Sequence, residues 1–476
     1  MHTAEPKPTS HPDGIPWYRG LSGYQWFVFA VAALGWLFDT MDQQLFNLAR
    51  VSAVRSLLHV APGDVSRAGE VTRNAGYATS IFMIGWGLGG IFFGILGDKL
   101  GRARTMLLTI LTYSAFTGLS ALSVGVWDFA AYRFLSGLGV GGQFAVAVAL
   151  VAEVMPDRSR PFALGWLQAL SAVGNMAAAL TSLGLGRLEE VGAIGSAWRT
   201  MFLIGLAPAL LAIPIMLRLR EPARWVEAMR EEKERKKSSP RRGFLSEVLH
   251  AFTDPIAQLL GDPRWRRNAI VGLLLALSGV VGLWGIGFFS FDLVDFAMRP
   301  HFQAQGLTPR EVNGKLTFWK GMTSLVQNAG AFFGVYAFAR FTHFFGRKPA
   351  FAISFVLAAV ATFITFWKLE SFWQIFVLVP IMGFCQLTLF GGYAIYLPEL
   401  FPTRLRATGT SFCYNVGRLV AAAGPLTLGM LSTGVFKGFP PPMPLRFAGM
   451  TMCAVFLIGL LALPFAPETK GKPLPE

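Results

Sequence analysis

The chain has 476 residues, of which 53% are hydrophobic and only 14% are charged, whereas soluble proteins carry about a quarter charged residues. The 42 basic residues exceed the 27 acidic ones, giving a net charge of +15 that in a soluble protein would suggest nucleic-acid binding. The long apolar runs exclude that class and indicate a protein embedded in a lipid bilayer, with no nucleic-acid partner.

Twelve apolar runs are long enough to cross a bilayer as helices, which takes about 20 residues each. The first run is longer than the apolar part of a signal peptide and is not followed by a small-residue cleavage site, so we expect it to be retained. The fold class predicted is an all-α membrane protein. Its spans begin near Tyr24, Ala75, Thr105, Asp128, Pro161, Trp198, Asn268, Thr317, Ala350, Phe372, Ala407 and Leu445.

An even number of spans places both termini on the same side of the membrane. Basic residues concentrate on that side, and thirteen of them lie in the segment 218–267. Because cytoplasmic loops are rich in Lys and Arg, we expect cytoplasmic termini in a plasma membrane protein. The basic segment is typical of a solvated helical linker, with attraction to anionic lipid as the alternative. The predicted domains are a tail 1–23, a six-helix half 24–217, the linker 218–267, a second six-helix half 268–466 and a tail 467–476.

A pattern of loop charges occurs twice along the chain. The run 97–104 lies between spans 2 and 3, and the similar run 339–348 lies between spans 8 and 9. In each half, an Arg of the run is followed 51 or 52 residues later by a Glu, and seven residues later by another Arg. These residues are Arg102, Glu153 and Arg160 in one half and Arg347, Glu399 and Arg406 in the other. The repeat predicts two pseudo-symmetric six-helix halves, as in secondary transporters.

The same motifs resemble those of the major facilitator superfamily over nearly the whole chain. Gly97-Asp98-x-x-Gly101-Arg102-x-Arg104 is similar to the superfamily's signature between spans 2 and 3, and Arg133-x-x-x-Gly137 to its fourth span. Asp39-x-x-Asp42 and Asn415-x-Gly-Arg418 resemble the aromatic-acid and metabolite:proton symporters and their organic-ion relatives. The tail Pro467-Glu468-Thr469 also resembles sugar porters. Thr40 replaces the Gly usual in the first acid pair, and span 7 lacks the double Gln of sugar porters.

Span 1 contains two acids that insertion into lipid disfavours, since an Asp at the centre of a span costs about 2.5–3.5 kcal/mol. Asp39 and Asp42 are three residues apart and share one face of the helix. Arg133 in span 4 lies at a depth comparable with Asp42, so the two are expected to pair. The functional hypothesis is that Asp39, Asp42 and Arg133 couple transport to protons. The alternative is a fixed structural ion pair.

Arg418 lies about 18 Å from the cytoplasmic end of span 11, near the middle of the membrane. Its guanidinium keeps its charge and binds carboxylates through two parallel hydrogen bonds, so it is expected to bind an anionic substrate. The alternative is that it bonds only helix carbonyls or a neighbouring acid. The other residues predicted for the substrate site are Asn415, Tyr414, Trp284, Phe288, Gln327 and Tyr393, and further interior polar residues are Gln143, Gln168, Asn175, Asn328 and Gln386.

The charges within the spans do not repeat between the halves, whereas the loop charges do. Repeated loop charges are expected of the machinery that moves the halves, and unrepeated membrane charges of the substrate and ion sites. We therefore predict that the loop charges close the cytoplasmic side through ion pairs. They are Asp98, Arg102, Arg104, Glu153, Arg347, Glu399 and Arg406.

These features and the resemblance favour a proton-coupled symporter of a small organic anion, such as an aromatic or other carboxylic acid. Its expected partners are the substrate, protons and the lipid bilayer, and we expect a monomer. A sugar or polyol transporter, an organic-cation transporter and a nutrient sensor that binds without transporting are the alternatives. The sequence has no phosphate-binding loop, metal-spaced His or Cys cluster or nucleophile motif, so we expect no enzymatic activity, cofactor or metal.

Overall fold

The computed structural model describes residues 17–60, 67–190, 192–237, 244–287, 301–307, 309–421, 423–440 and 443–475, with the single residues 290, 293 and 298. Regular structure in these residues is helical throughout, which confirms the all-α class. The first half contains α1 (Gly23–Leu57), α2 (Ala68–Leu100), α3 (Arg102–Ser120), α4 (Val126–Val154), α5 (Arg160–Glu190), α6 (Ala197–Ile204) and α7 (Ala212–Arg218). The connecting segment contains α8 (Ala223–Lys237) and α9 (Phe244–Gly261).

The second half begins at the end of α9. Its helices are α10 (Pro263–Val280), α11 (Pro309–Phe345), α12 (Arg347–Lys368), α13 (Phe372–Glu399), α14 (Arg406–Ala421), α15 (Gly424–Met430), α16 (Met443–Met452) and α17 (Val455–Ala462). A π-helical turn, Val281–Ile286, extends α10. Eight helical segments of the described residues are long and apolar enough to cross a membrane, and the chain is a multi-pass membrane protein. The four other predicted spans are helical at the expected positions but more polar or, in span 11, divided between α14 and α15.

Local sequence signals set where several helices begin. Ser22 and Gln25 form a capping box at the start of α1, in which each side chain accepts the other residue's backbone N–H. Gly101 and Gly346, at equivalent places in the repeat, precede α3 and α12 with φ of +111° and +96°. Because side chains strongly disfavour this region of φ, glycine is required at both of these sharp reversals.

Helix packing follows the repeat seen in the sequence. Within the first half, α2 and α3 pack on α4, and within the second half the equivalent α11 and α12 pack on α13. Between the halves, α5 packs against α11, and α2 packs against α14. The twofold relation between the halves maps one of these interfaces onto the other, so the halves meet along two equivalent seams.

Both ends of the described chain lie at one face of the bundle, which we call the terminal face. Ser159, after α4, donates a hydrogen bond to the carbonyl of Trp17 at 2.7 Å. Residues 466–475 contact the beginnings of α12 and α14 through Glu468 and Pro475. The loops that carry the repeated charges therefore share one face with the two ends of the chain.

Candidate functional site

Asp42 and Arg133 meet in the first half, where α1, α3 and α4 pack together. Asp42 Oδ1 lies 3.6 Å from Arg133 Nη1, and both side chains are buried. Thr117 Oγ1 donates to Asp42 Oδ1 at 2.6 Å and accepts from Arg133 Nη2 at 2.9 Å. Ser136 Oγ donates to the other carboxylate oxygen at 3.2 Å. Direct charge-assisted hydrogen bonds are about 2.7–2.9 Å long, so this pair is held through hydroxyl groups.

The hydroxyl shell gives the pair an adaptable environment. Ser and Thr hydroxyls rotate and either donate or accept, so the same shell serves an ionised and a protonated carboxyl at Asp42. Nη1 of Arg133 makes no hydrogen bond with the described residues, and the guanidinium carbon lies 4.8 Å from the Phe202 ring centre. Asp42 can therefore be protonated without a rearrangement of the side chains around it.

Asp39 lies one helical turn before Asp42 and is fully buried. Gln43 Nε2 donates to its Oδ2 at 3.1 Å, while Oδ1 has no hydrogen-bond partner among the described residues. An ionised buried carboxylate needs a cation or donors to both oxygens. Arg418, from the second half, is near enough for its positive charge to act on Asp39, but no direct ion pair joins these two described side chains.

Arg418 lies between two aromatic rings, one from each half. Its guanidinium carbon is 3.9 Å from the ring centre of Trp86 in α2 and 4.1 Å from that of Tyr414 in its own helix. Nη1 is 3.4 Å from Asn415 Oδ1, and Nε has no partner among the described residues. The two rings cover the faces of the guanidinium, so its edge remains available for a planar anion.

A central cavity of about 100 Å³ opens beside Arg418 between the two halves. The first half contributes residues of α1 and α5, and the second half contributes the π-helical turn, α11, α13 and α14. Arg418 is the one charged residue among the described residues that line it. The polar and aromatic residues of the lining are Trp36, Thr40, Gln43, Gln44, Asn47, Gln168, Ser171, Asn175, Trp284, Ser324, Gln327, Asn328, Phe390 and Tyr414.

The structure brings only some of the predicted substrate-site residues to this cavity. Trp284, Gln327, Tyr414 and Arg418 line it, while Phe288 lies outside the described residues. Tyr393 points away, because its hydroxyl donates to the carbonyl of Leu275 at 2.7 Å inside the second half.

Asn415 also lies away from the cavity lining. Its amide donates to the carbonyl and the hydroxyl of Ser411, at 3.1 and 3.0 Å, where α14 crosses α2. It contacts Arg418 rather than the cavity. Trp86 is a functional candidate that sequence reasoning missed, and its only signal was a Trp inside the glycine-rich run of span 2.

Among the described residues, one ion pair and several hydrogen bonds join the two halves at the terminal face. Glu153 Oε1 accepts hydrogen bonds from two arginines. Arg102 Nη2 of the same half lies at 3.0 Å, and Arg406 Nη1 of the other half lies at 2.7 Å. Asp98 accepts the backbone N–H groups of Ala407 and Thr408, at 3.1 and 2.7 Å, at the start of α14. Most of the predicted gating charges thus meet in one buried cluster.

The equivalent charges of the second half behave differently. Arg347 donates twice to Glu399, at 2.7 and 3.0 Å, within the half. Arg160, the counterpart of Arg406, pairs with Asp157 instead of crossing to Glu399. The side chain of Arg104 is exposed and lies outside the clusters. Glu153 therefore forms an ion pair between the halves, and Glu399, its equivalent in the second half, pairs within its own half.

Two further glutamates belong to this face and were not predicted as part of it. Glu221 accepts the backbone N–H groups of Ala103 and Arg104, both at 3.1 Å, at the start of α3. Glu468 does the same for Arg347 and Lys348 at the start of α12, both at 3.0 Å. Both cap a helix N-terminus, where negative charge is stabilised. The signal in the sequence was that Glu221 follows Arg102 by nearly the same number of residues as Glu468 follows Arg347.

Comparisons with known proteins concern the family and the fold of the chain. The family model described as "Sugar (and other) transporter" matches residues 23–259 and 271–386. A probable 4-methylmuconolactone transporter of Cupriavidus pinatubonensis is 26% identical over 96% of this chain and 93% of its own length. The cis,cis-muconate transport protein of Acinetobacter baylyi is 27% identical over 94% of this chain and 95% of its own length. The proton:xylose symporter XylE of E. coli shares the fold, with a TM-score of 0.70 and 18% identity over 95% of this chain and 98% of that chain.

Proposed function

The chain belongs to the sugar (and other) transporter family of the major facilitator superfamily, whose members are membrane transporters and not enzymes, and from this premise we propose that it is a proton-coupled symporter of a small organic anion. Aromatic and other carboxylic acids are the substrate class. The transported molecule occupies the central cavity, which the two halves expose to each side of the membrane in turn.

Arg418 is the observation that carries this proposal. A permanent cation in the middle of the membrane is costly, so its position beside the cavity calls for a function. Trp86 and Tyr414 hold its plane, and its unpartnered Nε lies on the edge that a carboxylate engages. A fixed, planar fork of donors suits bidentate binding of a carboxylate better than any other common anion-binding side chain.

Asp42 and Arg133 are proposed as the proton-coupling pair, with Asp39 as the link to the substrate. A proton that enters from the face opposite the termini neutralises Asp42 and releases its electrostatic hold on Arg133. Asp39 loses its attraction for Arg418 when it is protonated, which frees the guanidinium for the anion. Proton and anion thus occupy the protein together and leave together.

The terminal face is proposed to lie in the cytoplasm of a cell whose plasma membrane holds the protein as a monomer. Helix α8 of the basic segment lies at this face, where Trp225 Nε1 donates to the carbonyl of Asp98 at 2.8 Å, and the positive-inside rule assigns such a basic segment to the cytoplasm. Since the ion pairs at Glu153 close this face, the conformation described is the one that receives substrate from outside.

The test is uptake into proteoliposomes under an imposed inward proton gradient, with internal pH as the readout. We expect carboxylates to be accumulated and to acidify the lumen. Arg418→Lys, which removes the planar fork, should raise the KM for the anion by about 10–100-fold. The control is Arg264→Lys, because Arg264 also stacks on a Trp, at 4.5 Å, but is exposed outside the cavity. Accumulation of quaternary amines or sugars with indifference to carboxylates would overturn the proposal.

A sugar or polyol transporter is the second candidate. The amides that line the cavity, among them Gln168, Gln327 and Asn328, are groups that bind hydroxyls. In that case Arg418 would remain bonded within the protein, and Arg418→Lys would leave affinity unchanged. Uptake of a labelled sugar that unlabelled carboxylates do not reduce would select this candidate.

A further inference from the structure

We infer that the substrate is a monocarboxylate that carries a neutral hydrogen-bonding group at its other end, and that dicarboxylates and phosphate esters are excluded. This inference rests on the proposed function, because it assumes that Arg418 binds the anionic group. It narrows the substrate class from organic anions in general to molecules with a single negative charge and a second, uncharged polar end.

The charges around the cavity limit the substrate to one negative charge. Arg418 is the one cation among the described residues that line the cavity, and it is already electrostatically coupled to Asp39. When Asp39 is protonated, Arg418 balances one carboxylate. A second carboxylate would meet neutral side chains only, and a buried charge without a counter-ion is strongly disfavoured.

The remainder of the lining is built for uncharged polar groups. Asn175 and Asn328 meet across the seam between α5 and α11, with 3.1 Å between Nδ2 and Oδ1. Gln43 lines the same cavity one turn after Asp39. Amides donate and accept hydrogen bonds but carry no charge, so they bind hydroxyl, ester, lactone or amide groups.

Two buried side chains in the lining have polar atoms without partners. Trp36 is 2% exposed, and its Nε1 makes no hydrogen bond with the described residues. Gln168 is also 2% exposed, and its Oε1 has no partner there. Native proteins rarely leave buried polar atoms unpaired. A hydroxyl group is a suitable partner for either atom, since it can accept from an indole N–H and donate to an amide oxygen.

The geometry at Arg418 also fixes how such a molecule enters. A carboxylate bound by the edge of the guanidinium lies in the guanidinium plane. Tyr414 lines the cavity and its ring centre lies 4.1 Å from the guanidinium carbon, so a flat acid held at Arg418 lies beside an aromatic ring. A flat acid with a neutral polar group on the far side satisfies both ends of the cavity.

The experiment compares matched molecules that differ by one charge. Proteoliposomes with the full chain are assayed at pH 7.5 with terephthalate and its monomethyl ester, and with cis,cis-muconate and its monomethyl ester. We expect each monoester to be accumulated with protons, and each dicarboxylate to compete at least about 100-fold less well. Among neutral ends, 4-hydroxybenzoate should compete better than benzoate, because only the former has a hydroxyl group that the polar lining can bind.

A second cation in the lining supplies the test on the protein side. Asn175→Lys should raise competition by the dicarboxylate relative to its monoester by about tenfold or more, because the new cation offsets the second charge. Asn175→Gln keeps the amide and adds no charge, so this ratio should stay as in the unchanged protein. Binding of the monoester shows that each variant is folded.

The outcomes separate the two levels of the proposal. Proton-driven uptake of dicarboxylates equal to that of their monoesters overturns this inference and leaves the proposed function standing. If none of the four carboxylates is taken up and a sugar or an amine is accumulated, both this inference and the proposed function are overturned. Selective transport of the monoesters, with the predicted change in Asn175→Lys, supports both.

Discussion

Asp42 and Asp39 are neighbours on one helix, but their side chains have different surroundings. Asp42 has hydroxyl donors to both oxygens and a cation at 3.6 Å, all from its own half. Asp39 has one amide donor and one oxygen without a partner among the described residues, and the charge that acts on it from the other half is that of Arg418. The first environment suits a proton site that is independent of substrate, and the second suits a site that senses the anion.

Asp42→Asn should abolish proton-driven accumulation while counterflow exchange stays within about threefold of the unchanged protein. The amide keeps the contacts with Thr117 and Ser136 but cannot release a proton, so the halves still move without coupling to the gradient. The measurement is uphill uptake and exchange in the same proteoliposomes. Ser56→Ala, at the end of α1 and away from both acids, serves as the control. Intact uphill uptake in Asp42→Asn would contradict the assignment.

At the scale of elements, the seam between α2 and α14 depends on close approach. A Cβ at Gly90 would collide with the side chain of Asn415, and a Cβ at Gly94 would collide with Ser411. Ser411 Oγ also donates to the carbonyl of Gly90 across this seam. Asn415 in turn contacts Arg418, so the packing of two helices supports the position of the Arg418 guanidinium.

Gly90→Ala is therefore expected to reduce transport about tenfold, because overpacking of about 1–3 kcal/mol displaces Asn415 and loosens the seam. The initial rate of uptake and the KM for the anion measure this effect. Gly76→Ala in the same helix is the matched control, since a Cβ there meets no atom within 4 Å. Equal transport by the two variants would show that the seam adapts without cost.

The tail after α17 anchors the start of α12 through Glu468. Burial alone would raise the pKa of Glu468, but the backbone N–H groups of Arg347, Lys348 and Lys470 outweigh it and hold the pKa below its ordinary value of 4.5. Such N-terminal caps stabilise a protein by about 0.5–2 kcal/mol. The anchor therefore depends on the negative charge of this side chain.

Glu468→Gln should lower the Tm by a few degrees at pH 7, and the difference should vanish in acid. Because the folded protein holds the pKa low, the stabilisation is complete above pH of about 4.5 and is lost as the pH falls through the folded value. Thermal unfolding in detergent across pH 3–8 measures it. Glu234→Gln on the exposed part of α8 should change nothing. A difference that does not depend on pH would argue that the contact is not ionic.

At the scale of the whole molecule, hydropathy, loop charges and the repeat were enough to predict the helical class and the helix order. Those signals depend only on composition and spacing, so they can be read from the sequence without knowing where each side chain points. The places of Tyr393 and Asn415 were not predictable in the same way. Tyr393 lies in a span that is apolar nearly all round, where periodicity does not show which face meets the cavity. Asn415 lies on a more polar helix, and its close packing on Gly90 of α2 decides where its side chain lies.

The closed terminal face also departs from what the repeat alone predicts. The sequence places Arg160 and Arg406 at equivalent positions after Glu153 and Glu399, which suggests two equivalent bridges. Of these two, Arg406 crosses between the halves to Glu153, while Arg160 pairs with Asp157. Asp157 stands three residues before Arg160, whereas Thr403 holds the equivalent place before Arg406 and accepts a hydrogen bond from it without offering a charge. The two seams are thus held by different chemistry despite their symmetry.

The two rings around Arg418 belong to different halves, and this division has an energetic consequence. Trp86 belongs to the same half as Asp39 and Asp42, whereas Tyr414 is on the helix of the guanidinium itself. Any factor by which protonation strengthens anion binding must equal the factor by which the anion strengthens proton binding. If Trp86 carries this mutual effect between the proton and the anion sites, a variant without Trp86 lets the proton or the anion cross alone. The cell would then lose its proton gradient through a transporter that still binds its cargo, so the cost of a fault here is leakage rather than inactivity.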